Sequence, residues 1–163
     1  MTFSLSSRVI ITGIHALAAL DSSRPCPEDA AAPDLLCPDR VPALAMLVKN
    51  EFALLAASMF PYVADYTLDA EDASTASEPV AATDEWLMQL EVPAADALPG
   101  HAGAYIRRSV EALLTQRCLA AIYSLEGRPY THIAERAAAQ LASLRAALAP
   151  GIQPGASVRP WRV

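Results

Sequence analysis

The run HAGAYIRRSVEALLTQRCLAAIYSLEGRPYTHIAERAAAQLASLRAAL, residues 101–148, decides the fold. Over about 101–125 it sets Ile106, Val110, Leu113, Leu114, Cys118, Ala121, Ile122 and Leu125 on one broad apolar stripe. Arg107, Arg108, Glu111 and Gln116 fall elsewhere on the same helix surface. Gly127-Arg128-Pro129 breaks the pattern. A second helix then runs over about 131–149, with Thr131 available to cap it and Ile133, Ala137, Leu141, Leu144 and Leu148 as its stripe. Pro150-Gly151 stops it. A connection this short predicts an antiparallel helical hairpin, packed stripe to stripe.

Upstream, Trp86, Met88, Leu90 and Val92 alternate with Leu87, Gln89 and Glu91, the two-residue period of a strand. The stretch from Tyr62 to Leu68 is the expected partner, giving a two-stranded ribbon over about 62–68 and 85–92 across a long acidic loop. Such a ribbon is marginal alone and must pack on helices or join a neighbour's sheet. Before it, Leu44, Leu47, Val48, Glu51, Leu54, Leu55 and Met59 recur at helical spacing over about 41–60. Asp39 stands as N-cap, Pro42 lies in the first turn, and Pro61 ends the run. Pro25, Pro27, Pro33 and Pro38 make 21–40 a loop. The first helix is expected over about 5–20, capped by Ser6 or Ser7 and facing the core with Leu5, Val9, Ile10, Leu17 and Leu20. The pattern Val9-Ile10-Ile11-Thr12 also suits a strand. The fold class expected is therefore mainly α: a helical bundle with a C-terminal antiparallel hairpin and a short two-stranded β-ribbon inserted between helices. One domain spans 1–150, and 151–163 is a C-terminal arm.

At 163 residues the chain can bury a core without staples, and its 53% hydrophobic content sets it apart from disordered chains. A net charge of −6 argues against a dedicated nucleic-acid binder. The charge is also segregated. No Lys or Arg lies between Lys49 and Arg107, while that interval holds ten carboxylates, from Glu51 to Asp96. From Arg107 onward eight arginines face Glu111, Glu126 and Glu135. The two regions can attract each other within one chain or meet head-to-tail between copies. The plainer alternative is a solvated acidic loop beside ordinary helix-surface arginines.

Arg8 followed by the apolar run Val9 to Leu20 has the outline of a secretory signal, but Gly13 and His15 interrupt it and the basic region has one charge. It is too short to span a bilayer, and nothing else in the sequence comes near that length. The expected location is the cytoplasm.

Three cysteines without CxxC spacing, Cys26, Cys37 and Cys118, point to neither a zinc site nor a disulfide framework. Cys118 reads as a small core hydrophobe. His15, His101 and His132 lie on separate segments, and His132-Ile133-Ala134-Glu135-Arg136 lacks the second histidine of a zinc protease motif. The acidic run at Asp69-Ala70-Glu71-Asp72 lacks the glycine and alternating ligands of a calcium loop. No phosphate-binding or nucleophile-elbow motif occurs. No catalytic residue, metal site or cofactor is expected. The interface candidates are Asp69, Glu71 and Asp72 in the acidic stretch, Trp86, the pair Arg107 and Arg108, and Arg159, Trp161 and Arg162 on the arm. Trp and Arg dominate interface hot spots, although Trp161 can equally fold back on its own domain.

The order of parts supports one comparison. The stretch Trp86 to Pro93, then Leu98-Pro99, the helix from Tyr105 to Tyr123 and the arm around Trp161 together resemble small helical proteins of prophage-type structural gene clusters, including head-to-tail connector or adaptor proteins. About half the chain takes part in the likeness. The acidic hairpin and the proline-rich loop depart from the simplest connectors. The resemblance implies a ring of identical subunits docked on other structural proteins of a virion or phage-like particle, with no catalytic residues. The alternative is a stand-alone cytoplasmic helical domain that binds a small molecule or a regulatory protein between its helices.

Overall fold

The computed structural model describes residues 1–22, 33–68, 86–99 and 102–151. Strand β1 (Thr2–Ser6) leads into helix α1 (Ser7–Ser22). Helix α2 (Val41–Ser58), strand β2 (Asp65–Leu68), strand β3 (Leu87–Glu91) and helices α3 (Ala102–Leu125) and α4 (Thr131–Leu148) follow. Short 3-10 turns lie at Asp34–Leu36, Pro38–Arg40, Pro93–Ala97 and Ala149–Gly151.

The fold is mainly α, with the C-terminal helix pair the sequence leads one to expect. Its turn is set by one residue. Gly127 adopts φ +69°, the Arg128 N–H donates to the Tyr123 carbonyl at 2.8 Å and the Gly127 N–H to the Ser124 carbonyl at 3.3 Å. These bonds satisfy carbonyls that the end of α3 would leave open, and only a left-handed residue forms them. Space around Gly127 is open, so Gly127→Ala meets no clash and shows the backbone cost alone. We expect it to lower unfolding free energy by about 1–2 kcal/mol in urea titration. A neutral result would mean that the turn relaxes to another geometry.

The ribbon is present, with β2 antiparallel to β3, but it has a third strand. The sheet order is β1-β3-β2, and β1 pairs antiparallel with β3 from Thr2↔Glu91 to Ser6↔Leu87. The first helix therefore begins at Ser7, not Leu5, and Leu5 is a strand residue. That shift rotates the helix face. Ile10, Ile14 and Ala18 are buried, whereas Val9 and Leu20 are exposed. Ser7 is no solvent-facing cap. Its hydroxyl accepts the Trp86 N–H at 3.1 Å and its own N–H donates to the Trp86 carbonyl at 3.0 Å.

Two more caps differ from expectation. The N-cap of α2 is Arg40, because the 3-10 turn Pro38–Arg40 carries Asp39 past that position; Pro42 does lie in the first turn. The N-cap of α4 is Tyr130, with Thr131 already helical and no side-chain cap bond. On the stripes, Leu54 and Leu125 are exposed, while Leu44, Val48, Leu55, Met59, Ile133, Ala137, Leu144 and Leu148 are buried. A single cluster of buried side chains runs through six of the seven helices and strands, and the partly buried Tyr66 and Leu68 of β2 pack against it. The stretch Pro38–Ser58, with mean hydropathy 1.3, does reach the length and apolarity of a membrane span, which the sequence reading did not anticipate. Here α2 lays Leu44, Val48, Phe52 and Leu55 into the protein's own core, and a core helix of a folded domain reaches the same values.

Candidate functional site

Of the residues singled out as interface candidates, Asp69, Glu71, Asp72, Arg159, Trp161 and Arg162 lie outside the described residues, as do Cys26 and His101. Trp86 is not a surface anchor. It is 6% exposed, because the strand alternation that places Met88 and Leu90 inward places it inward too. Lys49 Nζ stands 5.2 Å from its ring centroid, a cation–π contact from α2. Arg107 and Arg108 are exposed near the start of α3. Arg107 Nε donates to Glu111 Oε1 at 3.0 Å, one helical turn on, whereas Arg108 has no ion partner among the described residues.

Among the described residues the acidic and basic regions meet at one place, which the sequence did not mark. Arg117 Nε on α3 donates to Glu51 Oε2 on α2 at 3.0 Å, with both side chains mostly shielded from solvent. Charge-assisted bonds of this kind orient one helix on another. The pair stands at the rim of an open cleft of about 370 Å³ whose walls include Leu113, Ala120, Tyr130, Ala134 and Ala137 of the helical hairpin. Alanines keep these helices slender along the cleft.

A second polar group ties α1 to the hairpin. Asp21, at the end of α1, accepts a hydrogen bond from the Tyr123 hydroxyl and lies 3.5 Å from His132 Nε2, an ion pair only while the imidazole is protonated. Burial, then the Asp21 charge and its hydrogen bond, push the Tyr123 hydroxyl above its ordinary pKa. Beside them is a small cavity of about 120 Å³, lined in part by Gln116 and Arg136. Gln116 Oε1 is buried without a hydrogen-bond partner among the described residues. The sequence could not have found this trio, since its members are scattered over three helices with no spacing in common.

Cys118 is fully buried on α3 and Cys37 is exposed. Burial first, with the Glu51 charge adding to it, raises the Cys118 thiol far above its ordinary range, so it packs as a neutral hydrophobe. The sign of the pH dependence follows. A raised folded-state pKa leaves its stabilisation fully present below about pH 8.5, the unfolded thiol's value, and erodes it above. We expect the stability difference between wild type and Cys118→Ala to shrink by about 1.4 kcal/mol per pH unit once the unfolded thiol is ionised. Urea titrations from pH 7.5 to 10 measure it, and a constant difference would show that the thiol ionises in the folded state. Among the described residues, no group of three or more His, Cys, Asp or Glu side chains is placed to hold a metal ion.

A third surface lies where β1 passes the first half of α3. The groove there, about 690 Å³, is bounded by Met1 to Ser4 on one side and by Gly103, Ala104, Arg107, Arg108 and Glu111 on the other. Gly103 allows the approach. A Cβ on it would come within 3.1 Å of Met1 Sδ. Comparison with protein-family models, curated proteins and solved structures finds no match to this chain.

Proposed function

We propose that this chain is a non-catalytic structural adaptor, of the head-to-tail connector type, that assembles with copies of itself and docks in a larger phage-like particle. The observation that carries the reading is the segregation of charge. Ten carboxylates and no Lys or Arg lie between Lys49 and Arg107, and then Arg107 and Arg108 stand exposed at the start of α3. Only Glu51 of that acidic interval is joined to one of the later arginines by an ion pair among the described residues. Among the described residues Asp96 is held by the Met1 ammonium and Arg107 by Glu111, while Asp65, Glu91 and Arg108 carry no ion pair, and such charges act on other copies over the Debye length of about 8 Å in physiological salt. A sheet that reaches the surface as a strand edge adds a second means of contact.

Native mass spectrometry of the purified protein, alone and with the products of its neighbouring genes, tests this reading. Discrete oligomers or stable complexes are expected, weakening as salt rises. A strictly monomeric species that ignores those neighbours overturns it.

One observation favours a second reading, a stand-alone domain that binds a small apolar ligand. It is the alanine-walled cleft between α3 and α4, with Glu51 and Arg117 at its rim to orient a polar group. The cleft is open to solvent rather than closed. A monomer whose melting temperature rises with an aromatic ligand, and whose Ala134→Leu variant loses that rise, would favour this reading over assembly.

A further inference from the structure

The three-stranded sheet has two outer strands, and they are treated differently. At β2 an outward amide is taken by the chain itself. Asp65 Oδ1 accepts the Tyr66 N–H at 2.8 Å, and the Tyr66 ring packs edge-on against Phe52, with centroids 5.9 Å apart. A side chain spent on an edge amide in this way blocks pairing with another strand.

At β1 no strand among the described residues pairs with the outer edge. Met1 and Val92 exchange backbone bonds (Val92 N–H to the Met1 carbonyl, 2.9 Å), and Ser7 donates to the Trp86 carbonyl. In an antiparallel ladder the bonded pairs alternate. Met1, Phe3, Leu5 and Ser7 therefore turn their amides toward β3, and Thr2 and Ser4 turn theirs away from the sheet. Neither Thr2 nor Ser4 has another partner among the described residues. Alongside lies the groove described above, with Arg108, which has no ion partner among the described residues, at its wall and Arg107, bonded to Glu111, next to it. An extended segment laid there would find up to four backbone groups in strand register and two guanidinium groups within reach.

We propose that this edge receives the acidic segment 69–85 of a second copy of this chain, added as a strand on β1 with its carboxylates against Arg108 and Arg107. The complement is in the sequence. That segment carries Asp69, Glu71, Asp72, Glu78, Asp84 and Glu85 and no basic residue. Main-chain bonds give such a contact its affinity, and the flanking charges give it direction and partner choice. Because the donated segment and the receiving edge are different surfaces, the contact is head-to-tail and propagates from copy to copy, closing into a ring where the rotation allows. The inference rests on the self-assembly reading above and assigns its interface.

Native mass spectrometry and sedimentation velocity on the full chain test it. Ser4→Pro removes an outward N–H without touching the β1–β3 ladder, since proline is tolerated where a strand's N–H faces outward. It and Arg108→Glu are each expected to weaken assembly at least tenfold, with circular dichroism unchanged. The decisive arm mixes two chains, Arg107→Glu/Arg108→Glu and Asp69→Lys/Glu71→Lys/Asp72→Lys. Each alone is expected to stay monomeric, and the mixture to assemble. Wild-type oligomers that persist in all variants overturn the interface while leaving the assembly reading intact. The same holds for charge-reversed chains that remain monomeric when mixed. A monomeric wild type overturns both. Should Ser4→Pro fail to fold, the charge exchange still decides.

Discussion

Replacing Phe52 with alanine is expected to lower the unfolding free energy by about 3–5 kcal/mol. Phe52 is 0% exposed on the inner face of α2, and its ring meets Tyr66 of β2 at an interplanar angle of 77°. It is therefore a joint between the helical layer and the sheet. Truncation removes the transfer free energy of the ring, leaves a cavity that flanking helices fill only in part, and deletes an aromatic pair contributing about 0.5–1.5 kcal/mol beyond its area. Domains of this kind are stable by only about 5–15 kcal/mol in total, so the loss is a large fraction. Urea denaturation should show a lower midpoint with an unchanged slope. Phe52→Leu keeps most of the volume and should cost visibly less. An alanine variant within about 1 kcal/mol of wild type would mean that α2 does not seat on the sheet through this ring.

The second large effect is expected at Gly13, where α1 crosses α3. A Cβ built there would lie 3.1 Å from Thr115 Cγ2 and 3.2 Å from its hydroxyl oxygen. Thr115 is itself 7% exposed, with its hydroxyl donating to the Glu111 carbonyl at 2.8 Å, so it has little freedom to turn aside. Gly13→Val puts a whole isopropyl group into this contact and should cost about 2–3 kcal/mol, because well-packed cores resist insertion. Gly13→Ala sets a helix-propensity gain of up to about 1 kcal/mol against a few tenths of an ångström of displacement. A double-mutant cycle separates the two. With Thr115→Ser the obstructing methyl is gone, and a coupling of about 0.5–3 kcal/mol should appear in urea titrations. Additive effects would mean that the helices do not touch there.

The helical hairpin was legible because its stripes are long and a Gly-Arg-Pro sequence divides them. Leu125 continues the stripe to the last residue of α3, where its side chain is exposed. Strand β1 was missed for the opposite reason. Phe3 and Leu5 alternate with Thr2, Ser4 and Ser6, but five residues are too few to establish a period, and the helical pattern of α1 absorbed Leu5. Gly13, an interruption when read along the chain, has its reason 102 positions away at Thr115. Separation in sequence likewise hid the Glu51–Arg117 pair, 66 positions apart, and the Asp21, Tyr123 and His132 group. Asp39 and Thr131 are good capping residues by type, and in each case the preceding backbone decides that another residue occupies the cap. Arg107 and Arg108 could be chosen from charge alone, whereas the edge beside them could not, since an open strand edge is a property of backbone direction. Trp86 could have been placed inward by the alternation that identified its strand.

The register Thr2↔Glu91 also governs timing. Strand β1 leaves the ribosome about ninety residues before the strand that completes it, roughly 5–20 s at the usual pace of synthesis. Over that interval Phe3 and Leu5 have no β3 to lie on, and both edges of β1 are open rather than one. Helix α1 can form meanwhile from local contacts, but β1 must wait. The nascent chain thus displays for seconds, besides the outward groups of Thr2 and Ser4, the backbone groups of Phe3 and Leu5 that β3 later covers.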